Sequence, residues 1–188
     1  MKDDRLSFMA SLDFSSWDDL KILDVLSRLG YKGISWTLSH FNPRKKSTEE
    51  LRDLVHHTRD YGMEIAEIVV QQDLVSLDDH IRMDRISLAK ECIEAASECS
   101  VENVNIFTGP APWIPESPRI PKGITEGRAW EMIIEAYEEL VSLAEKCEVF
   151  LVVEAVWGHL CHDFYTLREL FSRFNSKYLA VNLDPSHY

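Results

Sequence analysis

Three observations predict an α/β chain with a parallel sheet. Short apolar runs alternate with amphipathic helical segments along the whole length. The run at 149–156 is nearly all apolar, as a parallel strand covered on both faces requires. No Gly-x-Gly-x-x-Gly follows the first run and no Walker-type Gly-Lys-Ser/Thr occurs, so a nucleotide-binding open sheet loses support. Right-handed βαβ crossovers leave two architectures: an open doubly wound sheet, or part of a (β/α)8 barrel, which is usually built from ~250 residues.

The elements follow in order. A first strand is expected at 6–10. Ser16 reads as the N-cap of a helix over 17–29, where Leu20, Leu23, Leu26 and Leu29 recur at helical spacing and Gly30 supplies the stop. A second strand falls at 31–36. Ser47 or Thr48 caps the next helix, with Glu49 and Glu50 in its first turn, Leu51, Leu54, Val55 and Tyr61 on its buried side and Gly62 at its end. A third strand spans 63–70. The helix expected at 79–98 buries Ile86, Ala89, Ile93 and Ala96, and a fourth strand follows at 101–107.

The helix at 126–146 has the clearest stripe, with Trp130, Ile133, Ile134, Tyr137, Leu140, Val141 and Ala144 on one side. A fifth strand at 149–156, a fifth helix at 163–174 and a sixth strand at 178–183 complete the pattern. One connection stands out. Residues 109–121, between the fourth strand and fourth helix, hold five of the seven prolines. Connections of this kind usually run ~2–6 residues, so this stiff segment reads as a binding loop or cover at the C-terminal edge of the strands.

Composition bounds the function. A chain of 188 residues can form one domain with a sizeable core, and 1–188 is read as a single domain. The net charge of -12 disfavours a phosphate backbone, so no nucleic-acid partner is expected. No apolar stretch approaches the roughly 20 residues that span a bilayer, so no membrane partner is expected either. Cys92, Cys99, Cys147 and Cys161 lack CxxC spacing, and no secretory signal precedes them. Reduced thiols in a soluble, cytoplasmic protein are the expectation.

Two strand ends carry chemistry. Glu154 follows Phe150-Leu151-Val152-Val153, placing a carboxylate at the end of a buried strand, where it is costly unless paired or metal-bound. The next strand runs into Asp184-Pro185-Ser186-His187, and the chain stops one residue later. Adjacent parallel strands would set Glu154 and Asp184 side by side on one rim, with an imidazole three residues on. That donor set suits a hard divalent ion, Mn²⁺ or Mg²⁺ first, with Zn²⁺ or Co²⁺ as alternatives. His159, Cys161 and His162 cluster in sequence but lack a second half for a structural zinc site.

Glu154 on the fifth strand, with Asn182-Leu183-Asp184-Pro185-Ser186-His187 on the sixth, resembles the xylose isomerase-like TIM barrels, a superfamily of sugar isomerases and epimerases, inosose dehydratases and endonuclease IV. Leu29-Gly30-Tyr31-Lys32-Gly33-Ile34 and Tyr61-Gly62-Met63-Glu64-Ile65 resemble its entries to the second and third strands. The resemblance implies a TIM (β/α)8-type barrel of which about six strands and five helices are present, C-terminally incomplete. It implies that Glu154 is both metal ligand and proton-transfer residue, Asp184 a metal ligand, and His187 a substrate contact. A histidine from a seventh strand and a glutamate from an eighth would complete the set, and this sequence holds neither strand. Trp36, Trp113 and Trp157 are then candidates to stack on a sugar at the mouth, with His40 also within reach.

The family often has a glutamate near the end of the second strand, where Ser35-Trp36 stand here, and a histidine where Val156 stands. The implied activity is metal-dependent isomerisation or epimerisation of a small sugar, keto-sugar or polyol through an enediolate. A lyase of the inosose dehydratase kind and a non-catalytic truncated barrel are the alternatives. The fragment itself is expected to be inactive alone. An unclosed sheet exposes an edge, which leaves homo-oligomerisation open.

Overall fold

The structure is a computed structural model that describes residues 6–109, 120–184 and 187. Most of the proline-rich connection, including Trp113, lies outside the described residues. Six strands alternate with five helices: β1 (Ser7–Ala10), α1 (Asp19–Arg28), β2 (Gly33–Thr37), α2 (Thr48–Asp60), β3 (Glu64–Val70), α3 (Asp79–Glu98), β4 (Asn103–Ile106), α4 (Glu126–Cys147), β5 (Phe150–Glu154), α5 (Phe164–Phe171) and β6 (Leu179–Asn182). The strands stand in the sheet in chain order, each neighbouring pair parallel. A doubly wound sheet reverses its strand order at a switch point, and this one does not. The order is that of a (β/α)8 barrel, with the sheet unclosed between β1 and β6.

Alternation along the strands separates two cores. Ile34 and Trp36, Ile68 and Val70, Val104 and Ile106, and Leu151 and Val153 point outward and are buried under the helices. Val69 and Phe107 project to the inner face, where with Val156 they form a small separate apolar cluster. The helices dock through small residues. Ala129, Ala136 and Ala144 lie on the buried face of α4 beside Met132, Ile133, Tyr137, Leu140 and Val141. The buried stripe is therefore rotated from the expected one, and Trp130 and Ile134 sit at its half-buried margin facing Leu170 and Arg173. Buried Arg82 ties α3 to its surroundings, donating to the carbonyls of Leu74 and Met132 and to Glu135, so its charge is not stranded.

The ends of the elements differ from expectation for local reasons. Asp18, not Ser16, caps α1, its carboxylate accepting from the backbone N–H groups of Leu20 and Lys21. The chain before it turns as a short 3-10 segment at Leu12–Phe14, and the Phe14 ring packs edge-on to Phe8 and Trp17. Ile22, Leu23 and Leu26 form the buried face of α1, whereas Leu20 and Leu29 are exposed. Ser47 caps α2 in a reciprocal pair with Glu50. Gly30 and Gly62 adopt positive φ of 85° and 72° just past the helices they stop. No helix among the described residues is long and apolar enough to cross a membrane.

Candidate metal centre

The site is assembled at the C-terminal ends of β5 and β6. Glu154 is the last residue of β5 and stands directly across the ladder from Asn182. Asn182 Nδ2 donates to Glu154 Oε2 at 3.0 Å, and Nδ2 of Asn105, from β4, donates to the same oxygen at 3.1 Å. Two amide donors on one oxygen fix the plane of the carboxylate and leave Oε1 turned the other way. Asp184 lies two residues beyond Asn182, hence on the same face of the strand path.

Three residues on, the His187 backbone N–H donates to the Asp184 carbonyl at 3.3 Å. His187 Nε2 lies 3.2 Å from Glu154 Oε1 and 3.5 Å from Asp184 Oδ2. One ligand atom from each of Glu154, Asp184 and His187 lies within 4.8 Å of the others. Two carboxylates and an imidazole gathered at one point form an oxygen-rich donor set that fits a divalent cation. Among the described residues, no other group of histidine, cysteine, aspartate and glutamate converges in this way.

These residues border a cavity of about 450 Å³ at the mouth of the sheet. Val69, Phe107 and Val156 form an apolar part of its wall, while Ser11, Thr37, Ser39 and Gln71 present polar groups. The Gln71 Nε2 is buried and without a hydrogen-bond partner. A volume of this size suits a small molecule.

The aromatic candidates fare differently. Trp36 is not at the mouth: it is fully buried on the outward face of β2, with Nε1 donating to Thr58 Oγ1 of α2 at 3.1 Å. Its position in a strand places it by alternation against the helices, opposite to its neighbour Ser35, so the expected stacking role is corrected to a packing one. Trp157 is 57 % exposed beyond β5 and is not part of the cavity wall. Among the described residues, Phe107 is the aromatic side chain that lines the cavity. His40 is buried with Nε2 3.0 Å from the Trp17 carbonyl. His159 packs edge-on to Phe107, and His162 Nδ1 lies 2.9 Å from the Leu160 carbonyl, so the sequence cluster of His159, Cys161 and His162 does not form a ligand set.

Sequence reasoning missed two inward-facing groups. Asn105 is fully buried beneath the site. Glu67, on β3, is pushed up to about 7 by burial first and then by the charge of Glu154, with Asn105 and Ser35 hydrogen-bonding in the opposite direction. Their signal was a polar residue inside each of the apolar runs at 63–70 and 101–107, on the same alternation as Val69 and Phe107.

The family described as "Xylose isomerase-like TIM barrel" matches residues 23–188. A search of curated protein sequences finds no match. Among solved structures, D-psicose 3-epimerase from Clostridium cellulolyticum H10, crystallised with D-tagatose, is similar at 16% identity with a TM-score of 0.71, over 95% of this chain and 60% of that one. The probable 3-DHS dehydratase AsbF from Bacillus anthracis is similar at 14% identity with a TM-score of 0.73, over 97% of this chain and 64% of that one. A xylose isomerase-like TIM barrel protein from Mycobacterium smegmatis in complex with magnesium is similar at 15% identity with a TM-score of 0.71, over 90% and 58%. The chain thus spans about 60% of the length of these structures. By its match over most of its length and its sequential parallel sheet, the chain belongs to the xylose isomerase-like TIM barrel family.

Proposed function

We propose that this chain supplies the fifth- and sixth-strand portion of a divalent-metal site in an enzyme that moves a proton on a carbon of a small sugar, keto-sugar or polyol. The observation that carries this reading is the convergence of Glu154, Asp184 and His187 on one rim of the cavity. Glu154 and Asp184 would hold the ion, Mn²⁺ or Mg²⁺ by the hardness of the oxygen donors. When bound, such an ion polarises a carbonyl and stabilises negative charge on an adjacent oxygen.

The protein's own groups define the rest. Glu154 Oε2 is committed to two amide donors, so Oε1 is the oxygen available to accept a proton from carbon and return it. His187, beside both carboxylates, is placed to hydrogen-bond a substrate oxygen. Ser11, Thr37, Ser39 and Gln71 offer donors and acceptors suited to hydroxyl groups across the cavity. The neighbouring epimerase, whose structure contains D-tagatose, supports a keto-sugar as the first substrate to try.

The dehydratase among the similar structures favours one other reading, a lyase in which the same carboxylate removes an α-proton and a β-hydroxyl departs as water. Incubation of the full-length protein with Mn²⁺ and keto-hexoses in deuterated water, followed by NMR, decides between them. Deuterium next to the carbonyl in a product that keeps all its hydroxyl groups supports epimerisation, and loss of water supports the lyase. Turnover that survives Glu154→Gln would remove the assigned base.

A further inference from the structure

Gln71 stands across the mouth of the sheet from the metal centre. In the ladders Val70 pairs with Ile106, and Ile106 with Val153. The next residues along, Gln71, Phe107 and Glu154, therefore share one tier and one face of three neighbouring strand paths. Strands lie ~4.8 Å apart, so two spacings set the Gln71 backbone about 10 Å from that of Glu154, with Phe107 between them. All three border the same cavity. A ligand anchored at Glu154 and lying along Phe107 ends at Gln71.

Gln71 Nε2 is buried and has no hydrogen-bond partner among the described residues. That state is costly, and a leucine or methionine in the same place would not incur it. The last torsion of a glutamine is soft, so the amide can turn either its N–H pair or its carbonyl toward the cavity it borders. A hydroxyl group answers both ends, because it donates and accepts. The neighbouring Thr37 differs, since its Oγ1 already donates to the Ala10 carbonyl at 3.1 Å and accepts from the Ser39 backbone N–H at 3.4 Å.

Charge limits what the far end of the ligand can be. Glu154, Asp184 and His187 are titratable groups on the cavity wall, and among the described residues no lysine or arginine lines it. Phosphate and carboxylate groups are usually held by such cations or by the backbone N–H groups of a helix start. An anionic tail would meet only an amide and hydroxyls at this wall, with two carboxylates at the other end of the cavity.

We propose that Gln71 is a specificity-determining residue that hydrogen-bonds the terminal hydroxyl of an uncharged keto-sugar or polyol and so selects it over the corresponding phosphate ester. This inference rests on the reading of Glu154, Asp184 and His187 as the metal-bearing end of the substrate site. In it the carbonyl end lies at Glu154 and the C–H face of the sugar packs on Phe107.

The test titrates the full-length protein, with Mn²⁺ present, against D-tagatose, its terminal phosphate ester and the analogue lacking the terminal hydroxyl. The parent should bind the neutral sugar about tenfold or more tighter than the ester, whose charge finds no partner at the far wall. Gln71→Met keeps the length of the side chain and removes its hydrogen bonding; circular dichroism checks its fold. It should weaken D-tagatose about fivefold, the worth of one neutral hydrogen bond, and leave the deoxy analogue unchanged. Unchanged affinity for D-tagatose in Gln71→Met overturns the proposal, as does an equal loss for the deoxy analogue.

A second measurement needs no variant. In the ¹⁵N-labelled parent, D-tagatose should shift the Gln71 side-chain amide pair, and the deoxy analogue should shift it less. The Asn103 pair, which donates to the Ala66 carbonyl, should stay in place. An unmoved Gln71 pair with sugar bound overturns the proposal. Equal binding of the sugar and its phosphate ester would overturn this inference alone, whereas a parent that binds none of the three ligands would remove the function proposed above and this inference with it.

Discussion

His187 Nε2 lies 3.2 Å from Glu154 Oε1, although the two residues belong to different βα units. The contact depends on the hydrogen bond from the His187 backbone N–H to the Asp184 carbonyl and on the ladder that sets Asn182 opposite Glu154. Backbone register and side-chain chemistry thus meet at one oxygen.

The two amides on Oε2 should matter separately from the ligands. Asn182→Ala removes one donor and lets the Glu154 carboxylate rotate. Mn²⁺ affinity, measured calorimetrically, should fall ~10–100-fold while the fold is retained. An unchanged affinity would mean that the amide does not orient the carboxylate.

Glu67 makes stability depend on pH in an uncommon direction. Its folded-state value is pushed up to about 7 from an ordinary 4.5. Between these values the folded chain keeps a proton that the unfolded chain has released, so stability falls as pH rises through the window and stays lowered above it. The effect is on the order of 3 kcal/mol at most. In metal-free buffer, Glu67→Gln should therefore raise Tm over the parent by several degrees at pH 8 and hardly at pH 4.5, as followed by circular dichroism. An equal difference at both pH values would contradict this assignment.

Trp36 separates packing from function. Trp36→Phe loses the hydrogen bond to Thr58 and leaves unfilled volume between β2 and α2. Chemical denaturation should show a loss of about 1–3 kcal/mol. Mn²⁺ affinity should be unchanged, because the indole lies on the opposite face of the strand from the cavity. A specific loss of substrate binding at unchanged stability would restore the stacking role.

Thiol reactivity should follow burial. Cys92 and Cys161 are buried, and burial pushes both thiols up to about 12, whereas Cys147 is half-buried. A disulfide reagent at pH 8, read by peptide mass spectrometry, should label Cys147 before either of them. In denaturant all four should react at comparable rates.

The helices were legible in the sequence where capping and periodicity agreed, as at α2, and at α3 periodicity sufficed. Where the pattern contained a large aromatic at the margin, as Trp130 does in α4, periodicity placed the stripe slightly off its true centre. Alanines set that centre because they allow the helix to approach the sheet, and hydrophobicity alone gives them little weight. The acids of the rim were legible because each ends a strongly apolar run.

Trp36 was misplaced because residue type suggested the mouth while strand alternation put it against α2. Asn105 and Glu67 were missed for the complementary reason. Each sits within an apolar run, and a polar residue there gains meaning only when the strands are side by side. Their partners lie on other strands, tens of residues away in sequence.

The account depends most directly on whether Glu154, Asp184 and His187 hold a divalent cation. Titration of the chain with Mn²⁺, followed by the loss of the free-ion signal in electron paramagnetic resonance, measures this. One ion bound per chain, with binding abolished by Asp184→Asn in a variant of unchanged fold, is the predicted result. No binding, or equal binding by the parent and Asp184→Asn, would contradict it.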